Sequence, residues 1–263
     1  MSRHEDRSAE PGRTRLERER AFFTRLAAEE RDIAWAERTA VAAARREMRA
    51  VLLYASARVR AGAGDRVLDV GCGTGTYTLP FADRSQATIV GINATPTLLE
   101  RARAALPARV HLAGADAAAL PFPDDTFDAV IGNAILHHVS LDETVPEIVR
   151  ILKPGGRFCF AEPNLLNPHL MVVLNVPWLR RALDGTPDET AFVRWRLRRR
   201  LEALGLTAVS IRPFDFLYPL TPRRLVPAVE ALGRRLERLP LVREIAGSLL
   251  ITAEKPDRAQ PSG

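Results

Sequence analysis

The sequence Val67-Leu68-Asp69-Val70-Gly71-Cys72-Gly73-Thr74-Gly75 is a short apolar strand that leads directly into a glycine-rich turn. Glycines at such a turn let the backbone approach a ligand closely, and the helix that follows offers unpaired N–H groups. A nicotinamide-binding fingerprint would place its third glycine at position 76, where Thr76 stands. The spacing Gly-x-Gly-x-Gly, with an acidic residue two positions before the first glycine, therefore indicates a different ligand site.

Strand-like and helix-like patterns alternate along the chain from this turn onward. Short apolar runs predict strands at 66–70, 88–92, 110–113, 127–131, 157–161, 207–212 and 248–254. Helices are predicted between the earlier strands, at 77–84, 97–105 and 142–152. Strands separated by helices of this length predict an α/β protein whose parallel sheet is covered on both faces.

The chain is long enough for one sizeable core, since it has 263 residues of which 46% are hydrophobic. The predicted parts are a disordered N-terminus at 1–13, a helical region at 14–60, a domain at 61–255 and a flexible tail at 256–263.

Two stretches after residue 162 depart from the regular alternation. Prolines and asparagines predict a long irregular connection at 163–186. The start signals Thr186-Pro187 then predict a helix that runs to about Leu204. A largely helical insertion is predicted at 213–247, before the last strand.

The composition limits the class of protein. A net charge of +6 favours anionic partners, although an arginine- and alanine-rich coding bias is the preferred explanation of the charge. An aromatic content of 6% argues against base-stacking surfaces, so nucleic acid is an unfavoured partner. The two cysteines, Cys72 and Cys159, suggest neither disulfides nor a zinc site, and no metal is predicted. No signal peptide or membrane span is visible, so a cytoplasmic protein is expected.

Five ordered motifs resemble those of the class I (Rossmann-like) S-adenosylmethionine-dependent methyltransferases. They are Asp69-Val-Gly-Cys-Gly-Thr-Gly75, Val90-Gly91-Ile92-Asn93, Gly114-Ala115-Asp116-Ala117, the approach to the fourth strand at 120–128, and Leu136-His137-His138 followed by Arg150-Ile-Leu-Lys-Pro-Gly-Gly156. The resemblance covers about residues 65–162. It implies a three-layer Rossmann-like sheet of about seven strands, mostly parallel with an antiparallel last strand, under N-terminal lid helices.

The resemblance also implies S-adenosyl-L-methionine as cofactor and a role for each matching residue. Gly71, Gly73 and Gly75 would pass under the methionine part, and Asp69 would hold its amino group. Asp116 would accept the adenine amino group, the backbone of Ala117 would meet the ring, and Asn133 would lie near the sulfonium. For Asp116 a purely turn-forming role is the alternative.

Asn93 departs from the family pattern, which has an acidic residue there to accept both ribose hydroxyls. The amide oxygen of Asn93 can still accept a hydrogen bond, but a charge-assisted bond is lost. The change is compatible with weaker cofactor binding, a changed nucleotide preference, or a non-methylating or binding-only relative.

The candidate catalytic residues follow the fourth and fifth strands. His138, or else His137, suits a general base near neutral pH, and Glu162 would face the same crevice. The structural alternatives are hydrogen bonding by the histidines at a helix start and capping of a loop by Glu162.

The acceptor is expected to be a small-molecule or lipid-like compound, largely apolar with a polar or anionic end, as in small-molecule biosynthesis. The apolar residues 170–174 and the arginines and aromatic residues of 213–247 motivate this expectation, although ordinary packing accounts for them too. The alternatives are a cyclase or other non-methylating enzyme on the same fold, and a non-catalytic cofactor-binding partner. Contact with a membrane surface stays open, and the oligomeric state is not specified.

Overall fold

The structure is a computed structural model that describes residues 14–28, 39–57, 64–176, 190–218 and 220–257. Within these ranges seven strands form one sheet in the order β3-β2-β1-β4-β5-β7-β6. The strands are β1 (Arg66–Val70), β2 (Thr88–Asn93), β3 (Val110–Gly114), β4 (Phe127–Asn133), β5 (Leu152–Pro163), β6 (Thr207–Phe214) and β7 (Ser248–Glu254). The strands β1 to β5 pair in parallel, and β7 lies antiparallel between β5 and β6. The predicted fold class is confirmed.

Helices cover both faces of this sheet. In the described part of the chain they are α1 (Arg15–Ala28), α2 (Ala40–Ala57), α3 (Thr78–Ala82), α4 (Pro96–Ala105), α5 (Leu141–Ile151), α6 (Pro168–Asn175), α7 (Arg194–Ala203) and α8 (Val226–Leu236). Leu68 and Val70 of β1 belong to the core formed with α5 and α7, whereas Val67 belongs to the core formed with α2 and α3. This alternation along one strand produces the three layers.

The prediction of an irregular connection at 163–186 is wrong for its middle part. The helix α6 forms there because Asn167 caps it, accepting a hydrogen bond from Leu170 N at 3.1 Å, and Pro168 occupies its first position. Residues 177–186 lie outside the described residues.

The helix predicted to begin at Thr186 begins later, at Arg194. Phe192 is held in an extended conformation instead, because its N–H donates to Pro163 O and its carbonyl accepts from Leu165 N. The predicted start itself, Thr186-Pro187, lies outside the described residues.

The remaining predicted regions are the N-terminal helical region, the insertion before the last strand and the two termini. The region 14–60 contains the two helices α1 and α2, and its residues 29–38 and 58–60 lie outside the described part. In 213–247, β6 continues to Phe214, and α8 follows with short 3₁₀ turns on either side. The segments 1–13 and 258–263, predicted to be disordered or flexible, fall outside the described residues. No helix in the described ranges is long and apolar enough to cross a membrane.

Candidate active site

The site lies at the carboxyl ends of β1, β2 and β4. The strand order changes direction here, because β2 and β3 lie on one side of β1 and β4 lies on the other. Open α/β sheets bind ligands at this switch point. The turn after β1 is fastened there, because the N–H groups of Gly71 and Cys72 both donate to Ile92 O at 2.9 Å.

The three glycines of the turn all have positive φ, but their surroundings differ. A Cβ added at Gly71 would lie 2.7 Å from Ile135, and one at Gly75 would lie 2.7 Å from Leu106. A Cβ at Gly73 would meet no atom within 4 Å. Gly71 and Gly75 therefore permit close packing, whereas Gly73 borders open space that a ligand can occupy.

A cavity of about 240 Å³ joins this turn to the loop after β4. It is bordered by five of the residues predicted to bind the cofactor, namely Gly71, Gly73, Asn93, Asp116 and Ala117. His138 lines the same cavity. The helix α1 lies over it, contributing Arg15, Leu16, Glu19, Arg20 and Phe23.

Asp69 is buried beneath the turn rather than lining the cavity. Its Oδ2 accepts a hydrogen bond from Thr78 Oγ1 at 2.6 Å. Burial raises the pKa of Asp69 to about 7, although the Thr78 hydrogen bond opposes the shift. A cationic amino group placed beside this carboxylate would compensate for the desolvation, which fits the predicted contact with the cofactor.

The polar residues after β2 and β3 already have backbone partners. Asn93 Oδ1 accepts from Thr95 N at 2.8 Å, and Asp116 Oδ1 accepts from Ala118 N at 2.9 Å. Asn93 therefore turns its oxygen toward the backbone and has its amide N–H groups left for other partners. Asp116 forms the local turn that was considered as an alternative, and its second carboxylate oxygen leaves a ligand-binding role open.

Asn133 lies at the end of β4 but does not line the cavity. Its Oδ1 accepts from Arg49 Nη1 at 2.9 Å, and Arg49 Nη2 donates to Ser248 Oγ at 2.8 Å. Arg49 thus links α2 to the ends of β4 and β7. This link is a long-range contact that the sequence pattern did not reveal.

His137 and Glu162 form a buried pair below the cavity. The His137 side chain is 3% exposed and that of Glu162 is 0% exposed, and Nδ1 lies 2.7 Å from Oε2. Glu162 Oε1 also accepts the backbone N–H groups of Ile135 and Leu136 at 2.9 and 2.8 Å. Glu162 therefore holds the 3₁₀ turn Leu136–His138 in place. The prediction that Glu162 faces the crevice is wrong, because its side chain does not line the cavity.

His138 has a different environment from its neighbour. It lines the cavity, and its Nδ1 lies 3.1 Å from Oε2 of Glu19 on α1. The ring of Phe23 packs edge-on against the imidazole, with centroids 5.4 Å apart. Of the three predicted catalytic residues, only His138 borders the space into which a ligand fits.

The sequence analysis predicts N-terminal lid helices but does not identify the residues of α1 that line the cavity. Arg15, Glu19 and Phe23 recur at intervals of four and so share one face of the helix. That spacing was visible in the sequence, but which face meets the sheet depends on tertiary packing.

Two other observations bear on chemistry. Burial raises the pKa of the Cys72 thiol above its ordinary value, which suits a small spacer rather than a nucleophile. Across the described ranges, no three His, Cys, Asp or Glu side chains group together so as to hold a metal ion.

Comparison with known proteins assigns this geometry to a family. Residues 68–160 match the family model described as a methyltransferase domain. The methyltransferase GfsG of Streptomyces halstedii is 38% identical over 222 residues, which cover 76% of this chain and 77% of that protein. A demethylmenaquinone methyltransferase of Clavibacter sepedonicus is 42% identical over 174 residues, covering 57% and 69% respectively.

A solved structure shows the same fold at lower identity. It is a methyltransferase of Thermotoga maritima described as S-adenosylmethionine-dependent and possibly acting on histamine. It aligns with a TM-score of 0.63 at 17% identity, covering 90% of this chain and 99% of that one.

Proposed function

Because the chain belongs to the class I S-adenosylmethionine-dependent methyltransferases, we propose that it methylates a small-molecule or lipid-like acceptor, largely apolar with a polar or anionic end. The observation that carries the proposal is the single cavity shared by the glycine turn and His138. The named methyltransferase relatives, one of which acts on demethylmenaquinone, support a small-molecule acceptor. The cytoplasmic location stays a prediction from the sequence.

Six of the predicted cofactor residues keep the roles that the resemblance implies, whereas Gly75 and Asn133 do not border the cavity and receive no role in this proposal. We assign the methionine part to Gly71 and Gly73, the amino group to Asp69, and the nucleoside to Asn93, Asp116 and Ala117. The open space beside Gly73 and the buried carboxylate of Asp69 support this fit. S-adenosylmethionine supplies an electrophilic methyl group, so the protein mainly positions the acceptor and removes a proton where one must leave.

His138 is the proposed general base, since its imidazole borders the cavity. A proton on an acceptor hydroxyl or amine within hydrogen-bond reach of the ring would pass to its free nitrogen as the new bond forms. His137 and Glu162 receive a supporting role in this proposal, because their contacts hold the turn that carries His138.

The apolar acceptor is supported by the surface beyond the end of β5. Large exposed apolar side chains concentrate on α6 and on 218–245: Met171, Val172, Tyr218, Leu220, Leu225, Leu232, Leu239, Leu241 and Ile245. The two segments touch, since the rings of His169 and Tyr218 lie 5.2 Å apart and Asn167 Nδ2 donates to Ile245 O. Exposed arginines lie in the second segment: Arg223, Arg224, Arg234 and Arg235. Apolar surface beside guanidinium groups suits an acceptor with an anionic end.

The test is the release of S-adenosylhomocysteine with matched acceptors. Apolar alcohols and phenols would be supplied in pairs that differ only by a carboxylate or phosphate, with nucleosides and polar amines as comparison. We expect turnover with the apolar acceptors and a lower KM for the anionic member of each pair. Turnover restricted to polar acceptors would contradict the proposed substrate class while leaving the family assignment intact.

A further inference from the structure

The helix α1 brings a buried carboxylate to the histidine of the cavity. The side chains of Glu19 and His138 are 9% and 11% exposed, and Oε2 lies 3.1 Å from Nδ1. Among the described residues neither of these two atoms makes a hydrogen bond, and the polar contact of each is this ion pair. We propose that Glu19 is a positioning residue, which receives the Nδ1–H of His138 and so keeps Nε2 unprotonated as the proton acceptor.

The physical reason lies in the tautomer of the imidazole. A neutral histidine carries one proton, and a hydrogen-bond acceptor at one ring nitrogen draws that proton to it. A buried carboxylate at Nδ1 leaves Nε2 as the basic atom and also stabilises the imidazolium formed after proton transfer. The catalytic consequence rests on the proposed role of His138, whereas the tautomer depends only on the contact.

Glu162 is unavailable for this task. Its carboxylate already contacts His137 Nδ1 and accepts hydrogen bonds from two backbone N–H groups. The ring centroids of His137 and His138 lie 4.0 Å apart. The two adjacent histidines therefore have separate carboxylates, one from the sheet and one from α1. Only the second carboxylate lines the cavity.

The position of Glu19 is fixed by contacts that its neighbours on α1 make with the turn Leu136–His138. Arg15 Nη2, one turn earlier on α1, donates to the carbonyl of His137 at 2.6 Å. Thr190 Oγ1 donates to the same carbonyl at 3.2 Å. On the other side, the ring of Phe23 rests against His138. The contacts of Arg15 and Phe23 set the register of α1, so that Glu19 meets the imidazole.

The first test needs no acceptor. Long-range ¹⁵N–¹H NMR of the ¹⁵N-histidine-labelled protein with S-adenosylhomocysteine, at mildly alkaline pH, reports which ring nitrogen carries the proton. The His138 resonance would be assigned by its loss in His138→Gln. We expect the Nδ1–H tautomer in the wild type and its loss in Glu19→Leu. An Nε2–H tautomer in the wild type would overturn the proposal, even if the Glu19→Leu protein fails to fold.

The second test measures turnover with an acceptor found in the S-adenosylhomocysteine assay. Glu19→Gln should lower kcat about tenfold or more, with unchanged cofactor affinity, and should have no further effect in a His138→Ala background. The matched control is Glu17→Gln on the same helix, because Glu17 is exposed and glutamine can keep its cap on Thr14.

Equal losses from Glu19→Gln in both backgrounds would show that Glu19 does not act through His138, and would overturn the proposal. Failure of the proposed function is a separate result. Full turnover in His138→Ala would show that His138 is not the general base, while the NMR experiment would still test the contact with Glu19.

Discussion

The carboxylate of Glu162 lies 2.7 Å from Nδ1 of His137 and accepts two further hydrogen bonds from backbone N–H groups. This buried contact separates the roles of two histidines that are adjacent in sequence. His137 faces the protein interior, and His138 faces the cavity.

Substitution of each histidine by alanine should therefore affect a different property of the protein. His138→Ala should lower turnover about 100-fold or more without changing cofactor affinity, since general acid–base catalysis contributes about that much. His137→Ala should instead lower the free energy of unfolding by about 1–3 kcal/mol, because a buried carboxylate loses a partner. Turnover at saturating acceptor, calorimetric cofactor binding and urea unfolding measure the three quantities. Equal turnover in His138→Ala and wild type would return His138 to a structural role.

Gly73 offers a test of cofactor binding that is separable from folding. Gly73→Val should abolish S-adenosylmethionine binding in calorimetry, because the side chain would enter the open space beside the turn. The matched control is Gly205→Val, since Gly205 also has a positive φ with no atom within 4 Å of an added Cβ, but lies at the end of α7. Normal binding by a folded Gly73→Val protein would contradict the location of the cofactor site.

Asn93→Asp should tighten cofactor binding. The Asn93 side chain turns its oxygen to Thr95 N, so an aspartate could keep that contact and present a second, charged oxygen to the ribose. A gain of about 1 kcal/mol, or about fivefold in Kd, is expected from such a hydrogen bond. Calorimetry of the two proteins at one pH decides the question. Unchanged or weaker binding would show that Asn93 does not simply replace a residue that makes a stronger hydrogen bond to the ribose.

Asp69 predicts a pH dependence of stability in the cofactor-free protein. Its pKa is about 7 when folded against 3.8 for an ordinary aspartate, so between these values the folded state binds a proton that the unfolded state lacks. The stabilisation is complete below about pH 4 and is lost as the pH rises to about 7. At about 1.4 kcal/mol per pKa unit, the loss is at most about 4 kcal/mol.

The measurement compares urea unfolding of wild type and Asp69→Asn across this pH range, since other titrating groups cancel in the difference. The wild-type protein should lose stability relative to Asp69→Asn as the pH rises. A constant difference between the two proteins would contradict the raised pKa.

The sequence predicted what depends on local pattern, and failed where distant contacts decide. The turn from Asp69 to Gly75 was predictable because strand, glycines and helix follow one another directly. Choosing between His137 and His138 required Glu162, which lies on the next strand of the sheet. Glu19 needed the packing of α1 on the loop after β4. The helix α6 is a different case, because its cap, Asn167-Pro168, is visible locally, but asparagine and proline are also residues that predict a loop.

The last prediction concerns the apolar acceptor and α6. Met171 and Val172 are 46% and 54% exposed on this helix, so aspartate at both positions should leave the fold intact. If their side chains contact the acceptor, Met171→Asp/Val172→Asp should raise its KM about tenfold or more, because burying a side chain of this size contributes about 1.5–3 kcal/mol. Val51→Asp is the control, since Val51 is 44% exposed on α2. Cofactor binding, measured by calorimetry, should be unchanged in both proteins and serves as the folding check. An unchanged KM in the folded double variant would exclude α6 from the acceptor site, whereas a raised KM with normal cofactor binding would place it there.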